Sequence, residues 1–262
     1  MSLVAKEDAR GWIEIAEERI KLRQERLDAG TAKHLTWVGR SEWQMSLGRA
    51  RFLHGDPLEQ VHQAFRDAAR GIETSFVMAY DEDSPLFLGR RAEPSAVSET
   101  TAINGLNAAL MAADFELARR LARWIPPTPN DPSTSEETRH YVRGLKHLLL
   151  DAPAEARAHV GATLKRYEGK PPKSGYKRNY YTLAQALAGI LEGDDERFNE
   201  GLRLQAEFYR GLAQGENADT AEEHICDHLV ALGNLGLRHG RQVRGDIPFL
   251  PRGLLGTGPA PG

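Results

Sequence analysis

Between Ala9 and Gly30, Ile13, Ala16, Ile20 and Leu27 recur at spacings of three, four and seven, with Glu17, Glu18, Arg19 and Arg26 between them. That is the period of an α-helix with one apolar stripe, closed by a glycine C-cap. The same period returns from Thr31 to His54 through Leu35, Val38, Trp43, Leu47, Ala50 and Leu53. It returns again from Pro57 to Tyr80 through Val61, Ala64, Phe65, Ala68 and Ile72. No segment sustains the period-two alternation of β-branched and aromatic residues that marks a strand.

Proline-rich or polar stretches interrupt the pattern at 80–85, 90–95, 126–133 and 169–175, because proline cannot donate a helical hydrogen bond and restrains the residue before it. Helices are expected to resume at about Ala96, Phe115, Ser135, Pro153, Tyr176, Asp195 and Thr220. Ser133 with Glu136, and Thr134 with Glu137, have capping-box spacing.

Four stretches, LHGDPLEQVHQAF, LMAADFELARRLA, LLLDAPAEARAHV and LEGDDERFNEGL, place an aspartate directly after an apolar helix. Asp56, Asp114, Asp151 and Asp194 are read as N-caps whose carboxylates accept from the first free backbone N–H groups of the next helix. Their separations, about 58, 37 and 43 residues, are of the size of successive helical hairpins. The expected fold is all-α: stacked antiparallel hairpins in a degenerate, solenoid-like array ending in an extended C-terminal tail. Residues 1–256 are read as a single helical domain, with a subdivision allowed near 126–134, and 257–262 as a disordered tail with nothing to bury.

Composition narrows the function. Lys and Arg total 34 against 37 Asp and Glu, a net charge of −3, so no global field favours nucleic acid or an anionic membrane. No apolar run approaches the roughly 18 residues that cross a bilayer, and no signal-peptide core precedes the first charges. A cytoplasmic protein is expected. The one cysteine, Cys226, excludes an internal disulfide and a multi-cysteine metal site.

Three stretches invite chemistry. His224, Asp227 and His228 in EEHICDH have the spacing of an inverted zinc-protease signature, but aspartate stands where glutamate is required and no third ligand is marked out. A helix burying Ile225, Leu229, Leu232 and Leu235 with the histidines on its flank is the better reading, and no metal or cofactor is expected. KPPKSGYKRNYY, 170–181, mixes basic residues and tyrosines but lacks the order of a phosphate loop, and reads as a solvated loop entering a helix that buries Tyr180, Leu183, Leu187 and Ile190. Asp81, Glu82 and Asp83 lie in a loop that also carries Phe87 and Leu88, a mixture suited to a basic protein partner. No nucleophile elbow or dinucleotide fingerprint is present, so no catalytic residue is assigned and the chain is not read as an enzyme. Trp12, Trp37, Trp43 and Trp124 fall within apolar stripes and are read as core anchors.

The last third of the chain, LEGDDERFNEGL through ICDHLVALGNLGLRHGRQV to RGDIPFLPRGLL, resembles the Immunity protein 49 family of bacterial polymorphic toxin systems. The similar features are a helix after a Gly-Asp turn with a buried Phe198, a helix ending at Gly240, and an extended segment carrying Asp246, Pro248, Phe249, Pro251, Leu254 and Leu255. The resemblance implies an all-helical cytoplasmic protein that binds and blocks a cognate toxin. If that toxin is a nuclease, acidic groups that mimic phosphate become the expected contacts: Asp81, Glu82, Asp83, Glu216, Asp219, Glu222 and Glu223. A helical-repeat adaptor that binds a peptide or host protein is the alternative. Neither reading involves direct contact with nucleic acid or membrane, and neither fixes the oligomeric state.

Overall fold

A computed structural model of the chain describes residues 3–31, 33–88, 92–126 and 134–256, with side chains from residue 8 onward. Among these residues the protein is all-α, a helical array with no strand. The chain forms two compact units, one of residues 1–132 with 220–222, the other of residues 133–219 with 223–262. The division runs between residues 132 and 133, and again on either side of 220–222. The expected disorder of 257–262 lies outside the described residues.

The N-terminal unit holds α1 (Leu3–Asp28), α2 (His34–His54), α3 (Leu58–Tyr80), α4 (Glu99–Met111) and α5 (Phe115–Trp124). Each packs on the next, and α3 also meets α5. Phe65, Ile72, Phe76, Leu106, Leu110, Leu117 and Leu121 are fully buried at its centre. Gly105 lets α4 settle between Ile72 and Leu121, both of which a Cβ at that position would strike. The helix expected at Ala96 begins as a short 3-10 turn, Pro94–Val97, and α4 proper starts after Ser98, whose Oγ accepts from Thr101 N at 3.1 Å. That fits the general preference for serine at an N-cap.

All four tryptophans are partly buried, and Trp43 packs against the core cluster of Ala16, Leu47 and Ala64 as expected. Arg19 lies over the Trp43 ring and Arg40 over Trp37, each 6.0 Å from the centroid. Each ring keeps one side accessible, where a cation can cover the aromatic face while staying hydrated. Leu35 is likewise exposed, on the side of the first turn of α2 opposite buried His34.

The C-terminal unit holds α6 (Glu136–Leu149), α7 (Pro153–Arg166), α8 (Gly175–Glu192), α9 (Asp195–Ala213) and α10 (Asp227–Arg238). Here α6 packs on α7 and α8, α7 on α8, α8 on α9, and α10 on both α8 and α9. The capping serine of α6 is Ser135, whose Oγ accepts from Thr138 N at 3.1 Å, one or two places beyond the expected Ser133 and Thr134; Ser133 itself lies outside the described residues.

The four aspartate-marked helix ends share one geometry, which Gly30 after α1 and Gly240 after α10 repeat. Gly55, Ala113, Asp151 and Gly193 have positive φ, and the N–H that follows each reaches the carbonyl five residues back: Asp56 to Arg51, Asp114 to Ala109, Ala152 to His147 and Asp194 to Gly189, at 2.8–3.0 Å. This is the Schellman closure, which satisfies carbonyls that the helix leaves open. Two of the four expected aspartate caps follow from it: Asp114 accepts from Leu117 N at 2.9 Å, and Asp194 from Glu196 N and Arg197 N at 2.9 and 3.0 Å. The other two are corrected. Asp151 occupies the left-handed position itself, leaving Ala152 as the cap, and Asp56 precedes the capping Pro57 and instead pairs with His54 Nδ1 at 2.6 Å.

The tail after α10 is extended and fastened by two buried asparagines. Asn199 on α9 donates to Gln242 O at 2.7 Å and accepts from Arg244 N at 2.6 Å. Asn234 on α10 donates to Leu254 O at 3.2 Å and accepts from Gly256 N at 2.8 Å. Each side-chain amide thus treats the tail as a neighbouring strand would, satisfying backbone groups that are not in a helix. Ile247, Leu250 and Leu254 are buried, while Phe249 and Leu255 are half-buried. Phe249 takes a φ of +62°, and its ring packs edge-on against Tyr209 at 5.3 Å.

Candidate functional site

The acidic residues singled out by sequence fall into two segments. Asp81, Glu82 and Asp83 lie in the N-terminal unit directly after α3, where Asp81 N caps the helix by donating to Val77 O at 3.0 Å. A succession of short-range bonds then fixes the loop: Ser84 N to Asp81 O, Leu86 N to Ser84 Oγ, Phe87 N to Ser84 O, and Leu88 N back to Met78 O, all at 3.0–3.2 Å. Glu82 and Asp83 project into solvent.

The apolar member of this loop is not the one expected. Phe87 and Leu88 are half-buried, whereas Leu86 is 48% exposed. The backbone bond from Leu88 to Met78 folds residues 87 and 88 toward the helix and leaves Leu86 at the bend. An ordered loop therefore presents two solvent-exposed carboxylates and one leucine together, with little conformational entropy left to lose on binding.

The other four acids follow α9. Glu216 and Asp219 are exposed in the turn 214–219, and Asp219 N donates to Glu223 Oε2 at 2.9 Å. Asp219 has a φ of +61°, a region that aspartate tolerates better than most residues. Glu222 belongs to the N-terminal unit, where its carboxylate pairs with the guanidinium of Arg49, a side chain only 5% exposed on α2. Glu222 is thus occupied in holding a buried arginine. Burial raises the carboxyl pKa of Glu42 above its ordinary value, an effect that Arg23 opposes and Glu222 adds to.

The metal reading of EEHICDH fails on geometry. The expected helix from Thr220 is a 3-10 turn, Ala221–Glu223, followed by irregular chain, and α10 starts only at Asp227. His224 and His228 are therefore not one turn apart on a helix, and among the described residues no group of three or more His, Cys, Asp or Glu is placed to hold a metal ion. His228 lies inward, its ring edge-on to Tyr141 at 5.8 Å, and burial pulls its pKa down to about 4. Cys226 is buried beside it, and the same desolvation pushes its thiol up to about 12. A thiol held protonated in this way is inert as a nucleophile.

The basic and aromatic stretch 170–181 borders a cleft of about 490 Å³ lined by Lys165, Tyr167, Pro171, Tyr181, Gln185 and Arg197 among others. Several of its polar groups engage the protein: Tyr167 OH donates to Glu137, Gln185 Nε2 to Tyr181 OH at 2.9 Å, and Arg197 Nε to Gln185 Oε1 at 3.2 Å. Tyr180 is buried as expected, while Tyr176 stands half-exposed with Lys177 over its ring. Among the described residues no helix is long and apolar enough to cross a membrane. No family model, curated protein or solved structure matches the chain.

Proposed function

We propose that the protein is an immunity protein that neutralises a cognate bacterial toxin by stoichiometric binding, acting in the cytoplasm and without chemistry of its own. The observation that carries this reading is the ordered loop 81–88, which pairs the carboxylates of Glu82 and Asp83 with an exposed Leu86. A basic protein surface with an apolar recess complements such a loop, charge steering the encounter and the leucine contributing burial. The C-terminal resemblance to the Immunity protein 49 family supports the same reading. In it, Asp81, Glu82 and Asp83 form the primary contact and Glu216, Asp219 and Glu223 a secondary one. Glu222 serves the fold through Arg49.

The test is co-purification of the tagged chain with the product of its adjacent gene, joined to a growth assay in which that product is expressed with and without the chain. A stable complex and restored growth support immunity. The variant Glu82→Lys/Asp83→Lys/Leu86→Asp should lose both while retaining the wild-type melting temperature. Absence of any complex or rescue overturns the proposal and favours a helical adaptor with a different partner.

A further inference from the structure

His140 and His147 lie two turns apart on α6, and His159 lies on α7. A seven-residue step returns to nearly the same helix face about 10.5 Å along the axis. The His159 ring is near both: its centroid is 5.4 Å from that of His140, tilted by 45°, and 5.6 Å from that of His147, nearly parallel at 13°. Nδ1 of His140 and Nδ1 of His159 are 3.1 Å apart. The approach depends on Gly144, midway along this face, where a Cβ would stand 3.0 Å from Val160 Cγ2 and 3.9 Å from the His159 Cβ.

A hydrogen bond between two neutral imidazoles accounts for 3.1 Å. The same separation is the bite of a metal ion: two nitrogens at Zn–N distances near 2.0–2.1 Å are about 3.3 Å apart at a tetrahedral angle and about 2.9 Å apart at a right angle. All three rings are half-buried, so each is fixed by packing yet open to an ion from solvent. Burial lowers the pKa of each, which keeps the lone-pair form available at neutral pH. The surrounding charge is mixed, Arg143, Lys146 and Arg166 against Glu136, Glu137 and Glu155.

We propose that His140 and His159 form a two-point chelate for one divalent transition-metal ion of the zinc, nickel or copper class, clipping α6 to α7. Water completes the coordination, and His147, stacked on His159, holds that ring in place. With two protein ligands the affinity is micromolar, far weaker than that of a closed structural site, and metal binding reports on the ion level around the protein rather than driving its folding.

The experiment uses the tag-free full chain, stripped with EDTA, dialysed and titrated with zinc chloride by calorimetry and thermal unfolding. One zinc per chain should bind at micromolar concentration and raise the melting temperature by about 3 °C or more at saturation. His159→Asn should abolish both effects, His140→Asn should weaken binding at least tenfold, and His239→Asn should change neither. Because the substitutions also remove the His140–His159 hydrogen bond, imidazole proton resonances of the wild-type chain supply an independent readout: those of His140 and His159 should shift with zinc. Wild-type protein that takes up no zinc, equal binding by His159→Asn, or shifts confined to other histidines overturns the proposal.

Discussion

Gly201 of α9 lies directly against the backbone of Ala186 on α8: a Cβ at position 201 would stand 2.6 Å from the Ala186 Cα and 2.9 Å from its Cβ. Gly189 meets Phe198 in the same way, with its Cβ position 2.5 Å from the Phe198 Cα. Backbone cannot move aside as a flexible side chain can, so the two helices would have to separate. Gly201→Ala and Gly189→Ala should each destabilise the protein by about 1–3 kcal/mol or more. Gly161→Ala on α7 and Gly211→Ala on α9, which face open space, should instead stabilise by about 0.5–1 kcal/mol through helix propensity. Urea midpoints of the four variants check the contrast.

The tail should be as firmly held as a helix. Asn234→Ala removes the partners of Leu254 O and Gly256 N and should cost about 1–3 kcal/mol. Truncation after Gly245 removes buried Ile247, Leu250 and Leu254, at roughly 1.5–3 kcal/mol for each fully buried large side chain. Hydrogen exchange at the Gly256 amide should be protected in the wild type and fast in Asn234→Ala. An unchanged melting temperature in the truncated chain would contradict the packing described for the tail.

Tyr141 presents the opposite case. Its residue is 2% exposed, and its hydroxyl has no hydrogen-bond partner among the described residues. Burial, with smaller contributions from Tyr180 and Cys226, raises the phenol pKa far above its ordinary value. Tyr141→Phe deletes a desolvated hydroxyl while keeping the ring contacts to Tyr180 and His228, and should be neutral or stabilising by about 1 kcal/mol. Thermal unfolding distinguishes this from a loss.

Stability should fall on acidification through His228. Its pKa is about 4 in the folded protein against an ordinary 6.5, so the unfolded chain takes up a proton at higher pH than the folded one. The full stability is present above about pH 6.5, declines as pH falls toward 4, and levels off below that, a loss of roughly 3 kcal/mol. The other histidines with lowered pKa act in the same direction, so the measurement is the difference between wild type and His228→Gln. The variant should show a shallower decline in unfolding free energy between pH 7 and 5.

The helices were legible in the sequence because one signal, apolar residues every three or four positions, is set by burial of a single face and survives any tertiary detail. Their exact ends were less so. The turns after α2, α4, α6 and α8 are organised by the residue that takes positive φ, and glycine, alanine or aspartate can each fill that place; the aspartate that marks the turn therefore slides between positions and caps only two helices of four. EEHICDH read as helix because Ile225, Leu229 and Leu232 keep helical spacing, although backbone pairing of Cys226 N with Phe249 O draws the chain out before α10 begins. The histidine cluster was invisible for a different reason. His140 and His159 are 19 residues apart on two helices, and only the pairing of α6 with α7 brings them together.

The pairing of Arg49 with Glu222 spans 173 residues of chain. The guanidinium on α2 is 5% exposed, and one carboxylate that pairs with it comes from a segment far beyond α1 to α5 in the chain. The N-terminal unit is thereby completed by residues that lie beyond α9 in the sequence. The segment 220–222 acts as a latch on a unit from which it is distant in sequence, and a fragment ending at 132 would carry the keyhole without the bolt.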